Sequence, residues 1–138
     1  MRYPGAGPAF PDHHIIYKGA IVFLAMNPTQ YGYTLVAPKE QVAGDFTVEE
    51  YLDLQRVVHR VAETVREEVG AERMHVLSIG SNQSNAHVHW HVVPLPPGTP
   101  YEGQQFSAVR LETAGALRIQ NEEKAALATR SGQRMESP

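Results

Sequence analysis

The segment His87-Val88-His89-Trp90-His91-Val92-Val93-Pro94 alternates three imidazoles with large apolar side chains. In a β-strand successive side chains point to opposite faces, so this spacing places His87, His89 and His91 on one face and Val88, Trp90 and Val92 on the other. A strand reads this way when one face packs on a core and the other lines a site. Trp90 is therefore expected in the core, not as a stacking platform. Imidazole is the side chain best suited to act as base, acid or nucleophile near neutral pH, and three in register are hard to explain as packing alone.

Such a row can hold a metal or form a metal-free catalytic surface. On a strand the Cα atoms of His87 and His91 stand about 13 Å apart at about 3.3 Å per residue, near the limit for two imidazoles to share one ion. Two adjacent rings could chelate, but no third ligand is evident nearby in sequence. The metal-free reading makes the central ring a nucleophile and its neighbours hydrogen-bonding partners along a bound polyanion. That suits phosphate, because an imidazole nitrogen can attack phosphorus and later leave, splitting one hard displacement into two easier ones. Clustered imidazoles also disfavour one another's protonation, which keeps the central ring nucleophilic. The small polar loop Gly80-Ser81-Asn82-Gln83-Ser84-Asn85 leads straight into the row. It offers backbone N–H groups and side-chain amides to phosphate oxygens. No metal or cofactor is expected.

The elements around the row follow from pattern. Residues 1–12 are rich in Gly and Pro and read as a loose arm; 13–138 read as a single domain. Residues 14–17 and 20–26 are β-branched and aromatic about a tight Lys18-Gly19 turn, and 33–37 supply a third strand. Thr47-Val48-Glu49-Glu50 is a capping box. Beyond it Tyr51, Leu54, Val58, Val61 and Val65 recur at helical spacing up to Gly70, which predicts one long helix with one face buried on the sheet. Residues 74–79 and 86–93 are the fourth and fifth strands, the last stopped by Pro94. Helices are expected over 104–113 and over 121–130, with Asn121 as N-cap. His13, His14, His59 and His75 receive no role; His59 should face solvent and His75 should be a satisfied sheet residue.

The chain has 138 residues, no cysteine and a net charge of −3. One domain of this length can bury a core without disulfides, and the chemistry must come from His, carboxylates or hydroxyls. There is no basic footprint for nucleic acid. The longest apolar run, residues 20–26, is too short to span a bilayer. A soluble, cytoplasmic protein with no membrane partner is expected.

These residues resemble a known family. His87-Val88-His89-Trp90-His91-Val92-Val93 is similar to the His-φ-His-φ-His-φ-φ motif of the histidine triad (HIT) superfamily. Phe23-Leu24-Ala25-Met26-Asn27-Pro28, Gly32-Tyr33-Thr34-Leu35-Val36-Ala37-Pro38-Lys39 and Gln83-Ser84 match its pattern in order, so the likeness covers residues 15–97, with 104–131 as a C-terminal helical extension. The triad in this context is the specific signal; the flanking pieces are weak alone.

The resemblance implies an α+β fold with a five-stranded antiparallel sheet, one long helix on it and short C-terminal helices, commonly in a homodimer. It implies a purine-nucleotide hydrolase that cleaves dinucleoside polyphosphates or nucleotidyl phosphoramidates at the α-phosphate and releases a nucleoside monophosphate. By position His89 would be the nucleophile, His91 would contact the phosphate and leaving group, and His87 would orient His89. Gln83 and Ser84 would line the phosphate site, and Asn27, which also suits a turn, would contact ribose. The third ring is His, not the Gln of the uridylyltransferase-like branch, which favours hydrolysis. The chain departs from the family at Tyr33 and Gln41, where many members carry His, and at Ala25, where an acidic residue is frequent. Those departures motivate an alternative, a nucleotide-binding regulatory protein with little catalysis.

Overall fold

The computed structural model describes residues 14–17, 19–25, 28–38, 47–78 and 89–136. Strands β1 (His14–Tyr17), β2 (Ala20–Leu24) and β3 (Thr34–Pro38) form a meander, helix α1 (Val48–Val69) follows, and β4 (Arg73–Leu77) and β5 (Trp90–Leu95) complete the sheet. The sheet has five strands in the order β1-β2-β3-β5-β4, every neighbouring pair antiparallel. β5 is thus inserted between β3 and β4, so the histidine-bearing strand has a partner on each side.

Helix α1 begins and ends where the local chemistry dictates. The Thr47 hydroxyl accepts the Glu50 N–H at 3.1 Å, and the Glu50 carboxylate accepts the Thr47 N–H at 2.9 Å, satisfying two of the free donors of the first turn. At the other end Gly70 takes the left-handed conformation, φ 68°, and the chain turns into β4. The apolar stripe of Leu54, Val57, Val58, Val61 and Val65 packs on Ala20, Val22, Val36, Trp90 and Val92, which all belong to one face of the sheet. Trp90 therefore lies in the core, as its alternation with the histidines requires.

β5 differs from expectation at both ends. It starts at Trp90, after His89, while residues 79–88, which include the predicted strand start and the loop over Gly80, lie outside the described residues. It also runs through Pro94 to Leu95. The Leu95 carbonyl accepts the Glu72 N–H at 2.9 Å, so the polar groups of Leu95 face β4 and those of Pro94 face the other side. There the β3 pairing has already ended at Val92, and the missing N–H of proline costs no ladder bond.

The C-terminal segment corrects the expectation of one helix over 104–113. It forms a single 3₁₀ turn (Tyr101–Gly103) and two short helices, α2 (Phe106–Val109) and α3 (Leu111–Ala114), separated by the extended Arg110. The Ala108 carbonyl, which a continuous helix would use internally, accepts the Thr29 hydroxyl at 2.5 Å and the Gln30 amide at 3.3 Å. The last helix, α4 (Asn121–Glu136), is longer than expected, and Asn121 is its first turn residue, not its cap. The Gln120 carbonyl receives the first helical bond, from Lys124 N–H at 3.0 Å, which makes Gln120 the cap position. α4 lies against α1, β1 and β2. Leu127 and Ala128 pack with Leu24, and Glu68 of α1 accepts Arg134 at 2.8 Å and Arg130 at 3.1 Å.

Candidate functional site

Opposite the α1 side, the sheet carries the histidines. His91 sits in β5 across from Leu35 of β3 and Leu77 of β4. His89 lies two residues earlier, and its backbone carbonyl accepts the Ser78 hydroxyl at 2.8 Å, which ties the approach to β5 to the end of β4. The two rings lie side by side, centroids 4.9 Å apart and planes inclined at 54°. The sequence-predicted pairing of these two imidazoles on one face is therefore present. His87, Asn27, Gln83 and Ser84 lie outside the described residues.

A third side chain completes the described cluster. The Tyr33 hydroxyl stands 2.6 Å from His91 Nδ1, with the rings edge to face at 5.8 Å. Tyr33 reaches this place through Gly32, whose φ of 86° turns the chain sharply just before β3. The turn is closed by the Tyr33 N–H on the Gln30 carbonyl at 3.2 Å and by the Thr34 hydroxyl on the Gly32 carbonyl at 2.8 Å. Sequence reading noted Tyr33 only as a departure from a family pattern. Its contact with a residue 58 positions away depends on β3 pairing with β5, which no local signal announces.

The surroundings are apolar. Ala25, Tyr33 and Val93 form a small buried cluster with Leu35, Leu77 and Val109 packed against it. Burial, aided by the neighbouring His89 ring, pushes His91 down to about 4, so the imidazole is neutral at physiological pH. Burial also pushes the Tyr33 phenol up to about 12, which keeps its proton in place. His91 Nε2 is enclosed and has no hydrogen-bond partner among the described residues. Buried polar atoms are ordinarily satisfied, and this one stands open beside a second imidazole.

The segment from Tyr101 to Leu117 runs along this side of the sheet. Gln105 N–H donates to His75 Nε2 at 2.8 Å, Ala108 is held by Thr29 and Gln30, and Leu117 N–H donates to the Pro28 carbonyl at 2.8 Å. His75 is thus satisfied within the fold, as expected. His59 points outward and pairs with Glu63 at 2.6 Å. Among the described residues no three His, Asp or Glu side chains converge on a point that could hold a metal. None of the described helices is long and apolar enough to cross a membrane.

The HIT domain model matches residues 10–98, and the chain belongs to that family. Solved structures share the fold. A histidine triad protein of Sinorhizobium meliloti superimposes with a TM-score of 0.69 at 19% identity, covering 88% of this chain and 90% of that one. A hypothetical histidine triad nucleotide-binding protein of Sulfolobus tokodaii gives 0.68 at 21% identity, with 90% and 83% covered. A zinc-bound histidine triad family protein of Mycobacterium smegmatis gives 0.66 at 23% identity, with 89% and 86% covered. At these identities the likeness is one of fold. No curated protein sequence matches the chain. Family membership sets the general class, nucleotide-binding hydrolases and transferases.

Proposed function

We propose that this chain hydrolyses a purine nucleotide at its α-phosphate through a nucleotidyl intermediate on His89. The observation that carries the reading is the pair of imidazoles on one sheet face, centroids 4.9 Å apart, one with an enclosed ring nitrogen that has no partner among the described residues. In the first step a His89 ring nitrogen bonds to the α-phosphorus as the bond to the leaving group breaks, and the electron pair goes to that group. In the second, water attacks the same phosphorus and gives up a proton to solvent, the P–N bond breaks with its electron pair returning to the imidazole nitrogen, and the nucleoside monophosphate leaves. His91 contacts the phosphate and leaving-group side, His87 orients His89, Gln83 and Ser84 hold phosphate oxygens, and Asn27 contacts ribose.

The working unit in this reading is a cytoplasmic homodimer of one domain per chain. β4 is a sheet edge, and its Val76 is exposed, which suits pairing with a second copy.

Mass spectrometry after mixing with diadenosine triphosphate and quenching in denaturant at alkaline pH, where a P–N bond survives, tests the mechanism, with adducted His89 expected in the wild type. His89→Ala should lose at least a thousandfold in turnover while still binding AMP. Wild-type-like turnover by His89→Ala would reject the mechanism. Tight AMP binding by the wild type with no product over hours would make the chain a binding protein instead.

A further inference from the structure

The Tyr33 hydroxyl and His91 Nδ1 are 2.6 Å apart, and the direction of that bond fixes the state of the ring. Tyr33 is 7% exposed, and among the described residues His91 Nδ1 is the acceptor its proton reaches. If Nδ1 carried a hydrogen and donated it to the phenol, the phenol proton would be left buried with no acceptor among the described residues, at the cost of an unsatisfied polar group. The phenol therefore donates to Nδ1, and the ring's own hydrogen sits on Nε2. That is the nitrogen with no hydrogen-bond partner among the described residues. Leu35 and Leu77 flank His91 on the neighbouring strands and the Tyr33 and His89 rings meet its imidazole, and among the described residues no carboxylate acts on it. A carboxylate on Nδ1 would stabilise an imidazolium; a neutral phenol does not.

We propose that Tyr33 is a positioning residue that holds His91 as a neutral Nε2–H hydrogen-bond donor, and that the site is thereby matched to phosphoanhydride leaving groups over amine leaving groups. This deepens the hydrolase reading and rests on it. A neutral imidazole can donate a hydrogen bond to a phosphate oxygen without giving up its proton; surrendering Nε2–H would leave an imidazolate, which this buried setting does not stabilise. A phosphate or nucleotide leaving group needs no proton from His91, because it departs as a stable anion when its bond to the α-phosphorus breaks and it takes the electron pair. An amine must be protonated at nitrogen before its P–N bond can break, and His91 held in this way has no imidazolium proton to supply. Burial and the His89 ring act in the same direction, since both disfavour the charged ring.

Two measurements separate this proposal from the reading beneath it. Long-range proton–nitrogen NMR on histidine-labelled free protein reads the His91 tautomer without any substrate. The wild type should show Nε2–H and no titration of His91 from pH 8 to 5, and Tyr33→Phe should lose the tautomer preference. An Nδ1–H wild type, or a His91 that titrates near its ordinary value, overturns the arrangement.

The second measurement compares kcat/KM for diadenosine triphosphate and adenosine 5′-phosphoramidate. The wild type should favour the anhydride at least tenfold, and Tyr33→His, which restores a second titratable ring at Nδ1, should narrow that ratio at least fivefold. Equal or better turnover of the phosphoramidate by the wild type overturns the leaving-group preference. No turnover of either substrate beside the expected NMR signature rejects the hydrolase reading and the preference with it, and leaves the Tyr33–His91 arrangement standing.

Discussion

His75 Nε2 accepts the backbone N–H of Gln105 at 2.8 Å, joining the edge strand β4 to the segment that crosses the histidine face. Gln105 is the one described non-glycine residue with positive φ, 57°, so its conformation is held by surrounding bonds against its own preference. A ring nitrogen accepts only while it lacks a proton. Burial and the Arg73 guanidinium keep His75 below the usual histidine range, which preserves the bond at neutral pH. Acidification should release it. Hydrogen exchange corrected for intrinsic rates should show the Gln105 amide losing protection as His75 protonates, and His75→Phe should show the same loss at pH 7. An unchanged Gln105 amide in that variant would mean that the bond does not hold the segment.

The neutral His91 ring carries a second pH dependence, this time of stability. Its folded value of about 4 lies below the ordinary 6.5, so between those values the unfolded chain binds the proton and the folded chain does not. The contribution is complete above pH 6.5 and is lost as pH falls toward 4. Thermal midpoints of wild type and His91→Gln, measured across pH 4 to 8, should converge toward the acid end. Parallel curves would count against a buried, neutral His91.

Gly32 should tolerate no side chain. A Cβ there would lie 2.9 Å from Val69 Cγ1 and 3.3 Å from Pro94 Cγ, on a backbone of φ 86° that L-residues rarely adopt. The conformational strain alone costs about 1–3 kcal/mol, and the contact with Val69 adds to it. Gly32→Ala should lower the urea midpoint accordingly. Because Tyr33 is the next residue, the same variant should also weaken the His91 tautomer signature.

Helix α4 should behave as part of the core and not as an appendage. Leu127 is 2% exposed and packs on Leu24 and Ala128. Leu127→Ala should cost about 2–5 kcal/mol, read from chemical denaturation. Glu68→Gln should cost less, because its arginine partners are largely solvent-facing, and its effect should shrink in high salt. A Leu127→Ala loss below about 1 kcal/mol would show that α4 can leave the sheet cheaply.

What the sequence disclosed follows from how local each signal is. α1 was legible at both ends because Thr47, Glu50 and Gly70 act within one turn, and the face shared by His89 and His91 follows from strand alternation alone. Pro94 misled because a proline stops a strand only where its N–H would be used, and that depends on where β3 ends. The break at Arg110 was invisible, since Thr29 and Gln30 claim the Ala108 carbonyl from nearly 80 residues away. The full reach of α4 was hidden by Ser131-Gly132, which reads as a terminus. Ser131 is nevertheless buried, and Met135 beyond it enters the main core. The Tyr33–His91 contact had a signal, a tyrosine where the family pattern has histidine, but its partner could be found only in three dimensions.

Gly32 and Pro94 fit together as a key and its slot, because the glycine lacks the carbon that the proline ring would meet. A slip of β5 by one residue against β3 would put another side chain into that space and, by the two-residue alternation of a strand, turn His89 and His91 toward α1. Two residues without a functional group between them thus proofread the alignment of the sheet, and with it the side on which the imidazoles emerge.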